Sequence, residues 1–210
     1  MPSASAVTDP AAGRRARRTA GVQTVLGMAA VMWVVEVIDA LDSHRLDGDG
    51  IIPRNPSRLP DILWAPFLHA SFGHLLANTV PFLALGLVIA LQGAARVLAV
   101  TAIVVVVSGL GTWLTAPGGS VTVGASGVVF GYATYLIGRG VLSRRIGELA
   151  VGVVVGVVFG AALLWSLVPH SGISWQDHLF GAIGGLMAAR ALRPAARGKH
   201  PQPAPLASGQ

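Results

Sequence analysis

The sequence predicts an all-α membrane protein, a bundle of six transmembrane helices with a long first extracellular loop. Two observations set that class. Hydrophobic residues make up 53% of the 210 and charged residues only 11%, where a soluble domain carries about 25% charged. The apolar residues also fall into runs near the ~20 residues that a spanning helix needs. Six such runs lie at about 19–41, 65–91, 95–115, 122–138, 147–168 and 173–192.

The first run follows Arg14, Arg15, Arg17 and Arg18, which look like the basic start of a signal peptide. The run is too long for a signal core and no small-residue cleavage site follows, so it reads as a retained helix. The next segment holds DSHRLDGDGIIPRNPSRLPD. It is polar and rich in proline and glycine, so it reads as a loop, with Asp42, Asp47 and Asp49 solvating it. Glu36 and Asp39 sit at the interface near the end of helix one. The remaining connections are short. Residues 1–18 and 193–210 read as disordered tails flanking a membrane domain at 19–192.

Lys and Arg number 15, and all but Arg45, Arg54 and Arg58 lie in the tails or in the second-to-third and fourth-to-fifth connections. The positive-inside rule then puts both termini in the cytoplasm and the long loop outside. The net charge of +6 says less than where the charges lie. There is no cysteine, hence no disulfide and no thiolate chemistry.

Strongly polar residues at membrane depth are functional candidates by default. Run two carries His69, His74 and Asn78, run four carries Ser126, and run six carries His178. At 1.5 Å per residue, all fall in one layer near the outer surface. His74 and Asn78 are four apart and share a helix face. His69 and His74 are five apart and diverge by about 140° on a helix, so they would not converge on a metal. There is no HExxH motif either, and no metal or cofactor is expected. Gly181, Gly184 and Gly185 on run six, and Gly124, Gly127 and Gly131 on run four, allow close helix contact. That pairing brings Ser126 within reach of His178.

A serine becomes a nucleophile beside a base, and histidine is the usual one. Asn78, His74 and the Ser126 backbone N–H supply donors for a developing oxyanion. Asp177 adjoins His178, but helix neighbours diverge by about 100°, which makes it a poor orienter. The reading is a Ser–His dyad.

The segments HASFGHLLAN, GASG and DHLFGAIGG, in order and at matched depth, resemble the rhomboid intramembrane serine proteases in their minimal six-helix bacterial form. GASG alone is weak, and it is not the GxSxG elbow, since residue 128 is Val. The resemblance implies Ser126 as nucleophile, His178 as base, and Asn78 and His74 as oxyanion-stabilising side chains. It implies supporting roles for His69, for Gly124, Gly127 and Gly181, and for Phe130, which packs on the base. It implies transmembrane protein substrates within a lipid bilayer, not nucleic acid, and cleavage in or beside a membrane segment. The Ala, Gly, Val and Arg bias points to a bacterial plasma membrane. The readings kept beside this one are a catalytically silent relative that binds transmembrane helices, and a small transporter. The short connection holding His170 reads as a possible lid over the site.

Overall fold

The computed structural model describes residues 9–169 and 172–193. Residues 170 and 171 of the connection read as a lid, and the C-terminal tail beyond residue 193, lie outside them. Six α-helices carry the fold: α1 (Pro10–Leu41), α2 (Phe72–Ala90), α3 (Ala94–Thr115), α4 (Ser126–Ser143), α5 (Ile146–Trp165) and α6 (Trp175–Ala191). Three short 3-10 helices lie between α1 and α2. An isolated antiparallel β-bridge pairs Ile51 with Thr122.

α1 starts earlier than the sequence reading placed it. Asp9 caps the helix, its Oδ1 accepting from Ala11 N at 2.8 Å, and Pro10 takes the first turn, where its missing N–H costs nothing. The arginines at 14, 15, 17 and 18 are therefore helical, which corrects the expectation of disorder from residue 10 to 18. Residues 1–8 lie outside the described set.

α2 starts later than expected. Residues 65–71 are not helix; they form a 3-10 turn and an extended stretch. Ser71 ends that stretch by capping α2, its Oγ accepting from His74 N at 3.2 Å. The loop between α1 and α2 is also ordered rather than merely solvated. Ile51 N donates to Thr122 O and Thr122 N to Ile51 O. Arg54 donates to the carbonyls of Leu114 and Ala116 at the end of α3, and Trp113 Nε1 donates back to Asn55 O. The loop is thus fastened to the segment that leads into α4.

Among the described residues, four helices, α1, α2, α3 and α5, are long and apolar enough to cross a membrane. α6 is shorter, at 17 residues, and α4 differs for a physical reason. α4 is the centre of the bundle, packed against α2, α3, α5 and α6, and buries most of its length, including Tyr132 and Tyr135. A helix shielded by protein on all sides need not be apolar all round. α5 is the opposite case. It buries only Gly152 and Val155, and Val157 is 78% exposed, as suits a face turned to hydrocarbon.

The most extensive packing in the bundle is α4 against α6. A Cβ built on Gly181 would stand 2.2 Å from Gly127 O, and one on Gly185 would stand 2.0 Å from Gly131 O. No side chain fits there, so these glycines set how closely α4 and α6 approach. Gly184 is not on this seam. It faces Val104 and Val107 of α3.

Candidate active site

Four elements contribute residues to one cavity of about 300 Å³, whose lining includes His74, Asn78, Ser126, Phe130, Ser166 and His178. These come from α2, α4, the end of α5 and α6.

Ser126 is the first residue of α4. The chain reaches it through Gly124, which sits at φ 118°. That left-handed conformation is one L side chains rarely adopt. A Cβ there would also lie 2.8 Å from His74 Cε1 and 3.4 Å from Asn78 Nδ2. Gly124 is therefore a turn residue facing the α2 polar pair, not part of the α4–α6 seam expected from the sequence. The turn is held from two sides: Gly124 N donates to Ala65 O at 3.0 Å, and Ala125 N donates to His69 Nε2 at 3.4 Å.

His69 therefore has a definite position. It is buried, off the helix, and supports the backbone just before Ser126. The 140° divergence from His74 assumed both residues to be helical. In the extended stretch His69 instead stands edge-on to His74, with ring centroids 5.2 Å apart.

His178 is buried and its ring is fixed on two sides. Phe130 stacks on it at 4.2 Å between centroids and 6° between planes. Nδ1 lies 3.0 Å from the carbonyl oxygen of Ser166. A carbonyl only accepts, so Nδ1 carries the proton and Nε2 is the basic nitrogen. A backbone carbonyl thus fixes the rotation of the ring.

Asn78 is buried, and its Nδ2 has no hydrogen-bond partner. An orphaned buried amide donor costs about 1–3 kcal/mol, so its presence at a cavity wall calls for a reason. His74 is half-buried one turn before it.

The residue that sequence reasoning undervalued is Asp177. Ser126 Oγ donates to Asp177 Oδ2 at 3.4 Å. The buried carboxylate also lies against Gly127 in the first turn of α4, where a built Cβ would stand 2.5 Å from either oxygen. The residue ahead of α4, Ala125, has no side-chain oxygen to cap the helix, so Asp177 supplies an acceptor there from another helix. The signal in the sequence was an unpaired acid at the first turn of an apolar helix. The 100° argument correctly separated it from His178, and left its true neighbour unasked. Ser166 carried no signal at all, since its contribution is a backbone oxygen.

A hydrophobic helical bundle with several membrane-crossing helices makes this a multi-pass integral membrane protein. The Rhomboid domain model matches residues 56–195, and the chain belongs to the rhomboid family. It is 39% identical over 208 residues to an uncharacterized protein of Mycobacterium tuberculosis, covering 90% of this chain and 87% of that one. It is 41% identical over 188 residues to an uncharacterized protein of Mycobacterium leprae, covering 85% and 74%. A Bacillus subtilis protein named "Putative rhomboid protease YdcA" is 35% identical over 172 residues, covering 79% and 85%.

Proposed function

We propose that the protein is an intramembrane serine endopeptidase that hydrolyses peptide bonds in or near transmembrane segments of other membrane proteins. Family membership supports the class. The observation that carries the reading is the unpartnered Asn78 amide on the same cavity as Ser126 and a His178 whose basic nitrogen is left free. A donor without a partner in the resting protein suits an oxyanion that exists only during reaction.

In this mechanism the Ser126 hydroxyl leaves Asp177 and gives its proton to His178 Nε2 as Oγ attacks the scissile carbonyl. The oxyanion is met by Asn78 Nδ2, by His74 and by the Ser126 backbone N–H at the start of α4, where the helix dipole adds to the effect. His178 then protonates the leaving amine, and water hydrolyses the acyl-enzyme by the reverse proton path. All six helices span a plasma membrane, with both termini cytoplasmic and the α1–α2 loop outside.

The test is cleavage of a single-span substrate by the purified protein, beside Ser126→Ala. Loss of cleavage in the variant, with fluorophosphonate labelling of the parent at Ser126, is the expected result. A parent that neither cleaves nor labels would be a silent, helix-binding relative.

A further inference from the structure

Glu36 and Asp39 lie three residues apart on α1, so they share a helix face. Both are inside the protein, at 0% and 2% exposure. Neither Glu36 oxygen has a hydrogen-bond partner. Burying an ionised carboxylate without a partner is strongly unfavourable, so Glu36 either holds a proton or is ionised against a cation that the polypeptide does not supply.

What surrounds Glu36 is more negative charge and one imidazole. After α1, Ser43 and His44 both adopt φ 58°, and this turns the chain back on the helix end. His44 N donates to Asp39 O at 2.8 Å, and His44 Nδ1 stands 3.6 Å from Asp39 Oδ2. Asp39 Oδ1 accepts from Leu46 N at 2.7 Å, which brings in the 3-10 turn with Asp47. The Asp47 carboxyl lies against that of Asp39, and its Oδ1 is buried without a partner. The charges of Asp39, Asp47 and His44 all act on Glu36. The loop arginines are engaged elsewhere: Arg45 with Asp42, and Arg58 with Asp49 and Asp61.

Donor atoms of Asp39, His44 and Asp47 lie within 4.8 Å of one another. Ligands about 2.0–2.2 Å from a tetrahedral zinc ion stand about 3.3–3.6 Å apart. His44 Nδ1 and Asp39 Oδ2 already stand at 3.6 Å, and side-chain rotation of about an ångström would close the set. An imidazole nitrogen among carboxylates favours a first-row transition ion over calcium or magnesium.

We propose that Asp39, His44 and Asp47, with the buried carboxyl of Glu36 beside them, form a binding site for a divalent transition-metal ion of the zinc or manganese class. The ion would neutralise the buried carboxylates and clamp the first loop to the end of α1. Asp47 also acts electrostatically on His74, so the clamp adjoins the cavity wall. The site requires no catalysis, and its test is a binding measurement.

The full-length protein in detergent is stripped with a chelator and dialysed against zinc chloride, manganese chloride or calcium chloride. Bound metal is then counted by mass spectrometry. The expected result is one zinc or manganese per chain, with affinity lowered at least about tenfold in Glu36→Gln and in His44→Ala. His44 is half-exposed at its side chain, so its variant remains folded even if Glu36→Gln does not. A raised unfolding temperature with metal in the parent, absent in His44→Ala, is the second expected readout. Equal retention by parent and His44→Ala overturns the site. Calcium bound more tightly than zinc or manganese, and unaffected by His44→Ala, overturns the metal class.

Discussion

The Ser126 hydroxyl rests on Asp177, 3.4 Å away, while His178 is tied by Nδ1 to the Ser166 carbonyl. The two neighbours in sequence, Asp177 and His178, therefore serve opposite sides of the α4 terminus. One anchors the start of α4 to α6, and the other presents a base to the cavity.

That division predicts a difference between two substitutions. Asp177→Ala leaves the Ser126 hydroxyl and the first N–H groups of α4 without an acceptor from α6. Each stranded buried group costs about 1–3 kcal/mol, so unfolding in detergent moves to a clearly lower temperature. Asp177→Asn keeps one oxygen to accept from the same donors and stays within about 1 kcal/mol of the parent. Equal destabilisation by both would mean that the carboxylate charge, not the acceptor, holds α4.

Asn78→Ala should separate function from stability. The amide donor has no partner to lose, so thermal unfolding changes little or improves. If the donor meets the oxyanion, kcat falls by about 10²–10³ with KM near the parent value. A fall in stability that tracks the fall in kcat would indicate a structural asparagine instead.

The α4–α6 seam predicts a second contrast, this time between glycines. Gly181→Ala forces a methyl to within 2.2 Å of Gly127 O, and since backbone cannot give way, the helices must part. About 1–3 kcal/mol is the usual scale of such overpacking. Gly160→Ala on α5 meets nothing within 4 Å and should be neutral or stabilising by about 0.5–1 kcal/mol. Unfolding temperatures of the two variants measured side by side check both.

Much of this was legible in the sequence because hydrophobic runs, charge bias and glycine spacing are local signals. The six runs correspond to the six helices, and Gly127 and Gly181 do meet across α4 and α6. The misreadings share one cause: a side chain's partner lies far away in the chain. His69 and Gly124 were placed on helices because their neighbours are apolar. In fact residues 65–71 end in the Ser71 cap, and Gly124 turns at φ 118°. Asp177 was weighed only against its sequence neighbour. The order of the loop between α1 and α2 rests on backbone bonds to Thr122 and Trp113, which leave no compositional trace.

Phe130 offers the last test. It stacks on His178 with the planes 6° apart, so it fixes the ring's tilt while Ser166 fixes its rotation. If His178 takes the serine proton, as the proposed mechanism requires, it becomes an imidazolium, and a cation over an aromatic face gains about 0.5–2 kcal/mol. That gain exists only once the proton has moved, so it belongs to the transition state rather than to substrate binding. Phe130→Leu keeps an apolar side chain but removes the ring face. It should lower kcat by about 2- to 30-fold, the rate equivalent of that gain, and leave KM nearly unchanged. Phe130→Tyr keeps the face and should retain most of the activity. A Phe130→Leu enzyme with parental kcat and a raised KM would show that the ring shapes the substrate cavity rather than steadying the base.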